Sequence, residues 1–229
     1  MLMLENRKNG LERFYSAFLP EFPENHGNTL TGGVGCIVMN CNPFTKGHLA
    51  LITYAASRCS LLHIFVVEED RSLFPFEVRM RLVKEGTAHL PNVKVHPSGP
   101  YMISSATFPT YFLKKGEDAA RIQSELDITL FASRIAPLFH ITKRFAGEEP
   151  LDPVTRDYNE AMIRLLPQYS ISFIKIARTT AEAPEGKPEV ISASRVRKLL
   201  AETGVTEEVL QLVPPCTAQY LKNEFGARP

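Results

Sequence analysis

The chain has 229 residues, 44% of them apolar, which is enough to bury the core of one large domain. Its formal net charge of +1 gives no bulk reason to expect binding to nucleic acid or to a membrane. No apolar run of about 18 residues occurs, so no transmembrane helix is expected, and the first residues lack the apolar core of a signal peptide. The composition therefore predicts a cytoplasmic protein.

Strands and helices are predicted to alternate along most of the chain. Residues 11–19 show helical periodicity and a polar, turn-rich stretch follows them, so residues 1–30 are interpreted as a short helix and a linker. Residues 31–229 are interpreted as a single domain. Strands are predicted at residues 34–39, 61–67, 93–96, 141–145 and 171–177. Helices are predicted at residues 47–59, 76–89, 118–139, 154–166, 192–201, 207–212 and 217–225.

This alternation predicts an α/β fold, a Rossmann-like parallel sheet with helices on both faces. In such sheets ligands bind beyond the carboxyl ends of the strands, near the point where the strand order reverses. The loop after the first strand is therefore expected to lie at the functional site.

That loop, residues 40–48, contains the first cluster of candidate binding residues. It joins a strand end to a helix start, where backbone N–H groups and the helix dipole attract anions. His48 adds a donor in the first helical turn, and Gly47 permits close approach of a ligand to the backbone. Thr45 is suited to cap the helix whatever else it binds, and Lys46 is either a steering charge or a solvated one. The candidates are Asn40, Asn42, Pro43, Phe44, Thr45, Lys46, Gly47 and His48.

A second cluster, at residues 191–197, crowds two hydroxyl and two guanidinium groups at another predicted helix start. One serine would cap this helix in any case, but paired serines and arginines favour a phosphate-binding site. Arginine suits phosphate because its fork offers paired donors that stay charged. The candidates are Ile191, Ser192, Ser194, Arg195 and Arg197, and Arg195 has the alternative interpretation of a solvated neighbour.

The two clusters resemble the paired signatures of the nucleotidyltransferase superfamily. Residues 45–48 match its (H/T)xGH loop, and residues 191–197 match its ISxSxxR motif at every specified position. The resemblance implies a catalytic domain that binds ATP between the motifs. His48 and Thr45 would lie at the phosphates near the bond that breaks, and Arg197 at the β- and γ-phosphates. Gly147 and Glu148, at the end of a predicted strand, would lie near the adenosine. Such catalysis needs positioning and electrostatic stabilisation rather than a side-chain nucleophile.

A narrower resemblance, to the citrate lyase ligases, extends from about residue 34 to about residue 220. It is carried by residues 38–45, 65–70, 74–75, 103–109, 145–150 and 191–197. That family uses ATP and acetate to acetylate the thiol of a phosphoribosyl-dephospho-coenzyme A group on the acyl-carrier subunit of citrate lyase. The resemblance therefore implies formation of acetyl-adenylate with release of pyrophosphate, then of a thioester with release of AMP. It also implies a magnesium ion on the ATP phosphates, and the sequence shows no protein ligands for that ion.

Two other functions stay open from the residues. One is an adenylyltransferase that acts on a mononucleotide or phosphopantetheine acceptor, and the other is a module that binds nucleotide or carrier without turnover.

Larger members of the ligase family carry an extra N-terminal acetyltransferase-like domain. The 30 or so residues before the first strand are too few for such a domain.

The remaining candidates have plain structural interpretations as well. The four cysteines form no CxxC pair and no cluster with histidines, so neither a zinc site nor a disulfide is expected, and Cys41 is interpreted as an apolar filler. His63 is interpreted as a core histidine. Arg79 follows a stretch that resembles the second-substrate side of the superfamily, and it is either functional or part of a structural ion pair. The hydroxyl groups in residues 104–107 could face the acyl or pantetheine group, or only shape a turn.

Overall fold

A five-stranded parallel sheet organises the protein. The computed structural model describes residues 8–19, 32–68, 72–104, 117–148, 153–177, 180–182 and 188–226. The strands are β1 (Val34–Met39), β2 (Leu61–Val66), β3 (Val93–Pro97), β4 (Ile141–Gly147) and β5 (Ser172–Ile176). Their order in the sheet is β3-β2-β1-β4-β5, and each pair of neighbours is parallel. The predicted Rossmann-like α/β class is therefore confirmed.

The helices begin and end within a few residues of the predicted positions. They are α1 (Gly10–Ser16), α2 (Lys46–Ala56), α3 (Phe76–Thr87), α4 (Glu117–Leu130), α5 (Pro153–Leu165), α6 (Ala193–Thr203), α7 (Glu207–Gln211) and α8 (Pro215–Glu224). None of these described helices is both long and apolar enough to cross a membrane. An antiparallel hairpin, β6 (Thr180–Glu182) with β7 (Pro188–Val190), has no predicted counterpart, because strands this short show no recognisable period.

Helix α4 is less regular than predicted. Wider π-type turns at Phe131–Ile135 follow it, and a last α-helical turn spans Ala136–Leu138. Pro137 has no N–H group, and in a regular helix its ring would clash with the carbonyl four residues earlier. Wider turns just before the proline relieve that clash. The predicted helix over residues 118–139 is thus present but not regular throughout.

Both faces of the sheet are covered by helices, as expected for parallel strands. On β1, Val34 and Cys36 belong to a core with α1, α4 and α5, whereas Ile37 and Met39 belong to a core with α2 and α3. Tyr15 on α1 is fully buried and donates to the Ser98 carbonyl oxygen at 2.6 Å, so the N-terminal helix is part of the first core. Residues 20–31, most of the predicted linker, lie outside the described residues.

A third, smaller core holds the C-terminal helices beside the loop that follows β1. It contains Phe74, which precedes α3, and apolar residues of α6, α7 and α8. The backbone N–H of Lys46 donates to the carbonyl of Leu212 at 3.0 Å, which ties the first turn of α2 to this core. The start of α6 is therefore held next to the start of α2.

The strand order reverses at β1, which lies between β2 and β4. The chain leaves β1 for β2 on one side and returns to β4 on the other. A crevice is expected at the carboxyl ends of β1 and β4, since neighbouring connections diverge there. The loop at residues 40–45 and the end of β4 at Gly147 both lie at this edge of the sheet.

Candidate active site

Thr45 and His48 cap helix α2 reciprocally. The Thr45 backbone N–H donates to His48 Nδ1 at 3.0 Å, and the His48 backbone N–H donates to Thr45 Oγ1 at 3.4 Å. This is a capping box in which histidine takes the place of the usual glutamate. Because Nδ1 accepts, the neutral imidazole carries its proton on Nε2. The cap thus fixes both the orientation of the ring and the nitrogen that can donate to a ligand.

Phe44 and Pro43 support this cap from the core side. Both residues are buried, and the Phe44 side chain is 0% exposed. Its ring stacks on the imidazole of His48, with 6.1 Å between centroids and 12° between planes. The structure therefore places the Phe44 side chain beneath His48, as packing, and leaves only its backbone for contact with a ligand.

The second motif is built on a similar cap. Ser192 Oγ accepts from the Arg195 backbone N–H at 3.1 Å, which confirms the serine as the N-cap of α6. Arg197, one turn further on, donates through Nη2 to Ser194 Oγ at 3.2 Å and through Nη1 to the Asn42 carbonyl at 2.5 Å. Burial lowers the pKa of the half-buried Arg197, which still stays charged at neutral pH.

The two motifs touch directly. A Cβ atom on Gly47 would lie 2.9 Å from the carbonyl oxygen of Ile191, so only glycine allows α2 and the second motif to approach this closely. The sequence predicts close approach of a ligand at Gly47, whereas the close neighbour in the structure is the protein backbone. Arg197 and Gly47 together bring both helix N-termini to one place.

Lys46 and Arg195 have different surroundings. Lys46 is exposed and lines an open groove of about 780 Å³ together with Ile191 and residues of α2. Arg195 Nη2 lies 3.0 Å from Glu208 Oε1 on α7, and its side chain is only 15% exposed. Arg195 thus pairs with a carboxylate of the protein. The alternative interpretation of Arg195 as a solvated charge is wrong.

The end of β4 leaves open space beside the backbone. Among the described residues, a Cβ on Gly147 would meet nothing within 4 Å, and the Gly147 carbonyl accepts from Asn159 Nδ2 at 3.0 Å. The Glu148 backbone N–H donates to Ile176 O at 2.8 Å, and the Glu148 side chain is exposed.

Both asparagines of the first loop bind α3 or the segment that leads into it. Asn42 Oδ1 accepts from the Phe74 backbone N–H at 3.1 Å, and Asn40 Oδ1 accepts from Arg79 Nη1 at 2.9 Å. Arg79 is completely buried, and its guanidinium donates to neutral backbone carbonyl oxygens. Sequence reasoning left its role open, because nothing local to Arg79 indicates which distant carbonyls it contacts.

A buried carboxylate beside the predicted acceptor stretch was also missed by sequence reasoning. Asp127 on α4 is 1% exposed and accepts from the Ile103 backbone N–H at 2.7 Å and from the Tyr158 hydroxyl at 2.6 Å. Ser104 donates to the Pro100 carbonyl at 2.6 Å, as its turn interpretation predicts, and residues 105–107 lie outside the described residues. A polar residue on a predicted helix carries no signal of such burial.

The thiols are unsuited to nucleophilic or metal chemistry. Cys36, Cys41 and Cys59 are buried and Cys216 is partly buried, and all four are free. Burial raises the pKa of Cys36 to about 11 and raises that of Cys41 as well, so both stay protonated at neutral pH. Within the described ranges, no group of three or more His, Cys, Asp or Glu side chains is placed to hold a metal ion.

Comparison with known proteins identifies the family. The family model of the citrate lyase ligase C-terminal domain matches residues 34–221. The chain belongs to the citrate lyase ligase family. A [citrate [pro-3S]-lyase] ligase of Escherichia coli is 43% identical over 223 residues, which is 97% of this chain and 61% of the relative. A [citrate [pro-3S]-lyase] ligase of Klebsiella pneumoniae is 44% identical over 192 residues, 82% of this chain and 54% of the relative. The chain thus spans between about half and three fifths of the length of these relatives.

A solved structure supports the fold of this chain. A bifunctional NMN adenylyltransferase/ADP ribose pyrophosphatase from Francisella tularensis superposes with a TM-score of 0.51 at 16% identity. The match covers 86% of this chain and 50% of that one. At this identity the likeness extends to the nucleotidyltransferase-type fold alone.

Proposed function

We propose that this domain of the citrate lyase ligase family adenylylates acetate with ATP and passes the acetyl group to a thiol on the citrate lyase acyl carrier. The observation that carries the proposal is the junction of the two motifs at the strand-order reversal. There, the N-termini of α2 and α6, the imidazole of His48 and the guanidinium of Arg197 converge. Citrate lyase as the target comes from the relatives' name, and acetate and the acyl carrier come from the family resemblance.

In the first step, an acetate oxygen attacks the α-phosphorus of ATP and the bond to the β-phosphate oxygen breaks, so pyrophosphate leaves. Negative charge develops on the phosphoryl oxygens, and preorganised donors stabilise it. Nε2–H of His48, held by the cap with Thr45, is such a donor. Arg197 holds the leaving phosphates, and the two helix N-termini add favourable dipoles.

Magnesium would enter this site bound to the phosphates of ATP. The described residues offer no carboxylate cluster for it, whereas a nucleotide would supply phosphate oxygens, and magnesium keeps several waters in such sites. The ion would neutralise charge on the phosphates. The adenosine would lie against the open strand end at Gly147 and Glu148.

In the second step, the carrier thiol loses its proton and its sulfur attacks the acetyl carbonyl carbon of acetyl-adenylate. The bond between that carbon and the AMP oxygen breaks, so a thioester forms and AMP leaves. Cys36 and Cys41 take no part, because burial raises the pKa of both thiols and keeps them protonated.

Pyrophosphate release tests this proposal. The chain is incubated with ATP, magnesium and either acetate or phosphopantetheine, with and without the thiol-bearing carrier, and His48→Ala serves as the inactive control. Acetate-dependent release that the carrier accelerates supports the proposal. Release only with phosphopantetheine would favour an adenylyltransferase instead, and release with neither acetate nor phosphopantetheine would favour a non-catalytic binding module.

A further inference from the structure

Arg79 is the largest side chain that is fully buried in the described part of the chain. It lies on α3 and is 0% exposed. Burying a guanidinium is unfavourable unless its N–H groups bond to oxygen atoms. The hydrogen-bond partners of Arg79 therefore indicate what its burial achieves.

The partners of Arg79 lie at the ends of two neighbouring strands. Nη1 donates to the Asn40 carbonyl at 2.8 Å and to the Val67 carbonyl at 2.6 Å, while Nε donates to the Phe74 carbonyl at 2.9 Å. Asn40 follows β1, Val67 follows β2, and Phe74 leads into α3. One guanidinium therefore joins three backbone segments that are distant in sequence.

The first of these segments is the loop that carries the phosphate motif. Nη1 of Arg79 also contacts Asn40 Oδ1 at 2.9 Å. Two residues later, the side chain of Asn42 accepts from the Phe74 N–H, and its backbone carbonyl accepts from Arg197. The loop is thus held by Arg79 and Phe74 on one side and by Arg197 on the other. The cap at Thr45, with its bond to His48, begins three residues after Asn42.

We propose that Arg79 is a positioning residue that sets the place of the 40–45 loop, and through it of His48, relative to Arg197. The proposal rests on the proposed function for the reaction that the loop serves. Arginine is suited to the task because its rigid fork aims donors in several directions at once, whereas a lysine ammonium at the end of a flexible stem does not. Misplacing a reacting group by about 1 Å can slow turnover roughly a hundredfold.

The test compares Arg79→Lys with Thr87→Val. Thr87 is a matched control because it is also buried on α3, and its hydroxyl donates within the helix to Val83 O at 2.7 Å. For Arg79→Lys we expect kcat for acetate-dependent pyrophosphate release to fall roughly tenfold to a hundredfold, with the Kd of ATP changed less than about threefold. Thr87→Val should keep the wild-type kcat. Equal losses in both variants, or an unchanged kcat in Arg79→Lys, overturn the proposal.

Hydrogen exchange separates this inference from the proposed function. Amides of residues 40–48 should exchange at least about tenfold faster in Arg79→Lys than in Thr87→Val, while β1 and β2 stay equally protected in both. If the wild-type chain releases no pyrophosphate, the proposed function fails, and the exchange result alone decides whether Arg79 positions the loop. If Arg79→Lys does not fold, Asn40→Ala removes one of the four oxygens and should show the same pattern more weakly. Unchanged exchange in that variant overturns the inference.

Discussion

Arg197 and Asn42 lie 155 positions apart in the chain, yet Nη1 of Arg197 donates to the Asn42 carbonyl at 2.5 Å. One helix start is thereby fastened to the loop that precedes the other. The same guanidinium is the proposed contact of the β- and γ-phosphates, so the group that would bind the nucleotide also holds the loop in place. Loss of this side chain should therefore affect both nucleotide affinity and the order of the loop.

Arg197→Ala should weaken ATP binding. In the wild type, saturating ATP and magnesium should raise the melting temperature, since a ligand at a hundredfold excess over its Kd stabilises by about 2.7 kcal/mol. The shift should be much smaller in Arg197→Ala. Arg81→Ala removes an equal charge from an exposed position on α3 and should keep the wild-type shift. Equal shifts in the two variants would remove Arg197 from the site.

His48→Ala should slow turnover far more than it weakens ATP binding. The Nε2 donor is proposed to meet charge that develops only in the transition state, and loss of one such donor typically costs about a hundredfold or more in rate. Steady-state pyrophosphate release gives kcat, and calorimetric titration gives the Kd of ATP. A variant with unchanged kcat and weaker binding would make His48 an ordinary binding residue.

Thr45→Ala should destabilise the fold and disorder the imidazole. Removal of an N-cap side chain typically costs about 1 kcal/mol. Here His48 Nδ1 would also lose its contact with Thr45 Oγ1. Thr45→Ser keeps the cap oxygen and should retain most of the stability and of kcat. Urea unfolding and pyrophosphate release measure the two effects, and a serine variant as impaired as the alanine variant contradicts this view of the cap.

Gly47→Ala should push the two motifs apart. The added Cβ would lie 2.9 Å from the Ile191 carbonyl, a backbone atom that cannot rotate away. Overpacking of this kind typically costs about 1–3 kcal/mol, and we expect a lower free energy of unfolding together with weaker ATP binding. Gly147→Ala is the matched control for stability, since its Cβ would meet no atom of the described part of the chain within 4 Å. A stable Gly47→Ala variant would show that the contact is not tight.

The buried pair His63 and His96 should make the fold sensitive to acid. His63 Nδ1 and His96 Nε2 lie 2.9 Å apart, and burial lowers the pKa of His63 to about 3 and that of His96 to about 4. Both are below the unfolded value near 6.5, so the unfolded chain binds more protons as pH falls. Their contribution to stability is complete above about pH 6.5 and is lost as pH falls from there towards 4 and 3.

We therefore expect the free energy of unfolding to fall by a few kcal/mol between pH 7 and pH 5, measured by urea titration. The double variant His63→Phe with His96→Phe should lose most of that dependence. His89→Gln alters an exposed histidine and should keep it. A double variant that keeps the full dependence would place its origin elsewhere.

Much of the fold, and the two capped helix starts at the candidate site, could be predicted from local patterns. The apolar run Val34–Met39 is buried almost throughout, because a central parallel strand is covered on both faces. The caps at Thr45 and Ser192 were predictable because each joins a side chain to a backbone N–H three residues on, within one short stretch of sequence. The three-residue strands of the hairpin and the wide turns before Pro137 could not be predicted, because segments so short show no detectable period.

The sequence by itself determined the class of the sheet, the order of its elements and the two helix starts that could bind phosphate. The tertiary structure decided how those starts meet. It set Gly47 against Ile191, Arg197 against Asn42, Arg79 among three backbone segments and Arg195 against Glu208. A contact between residues far apart in the chain depends on how the sheet and helices pack, and it leaves no spacing in the sequence from which it could be inferred.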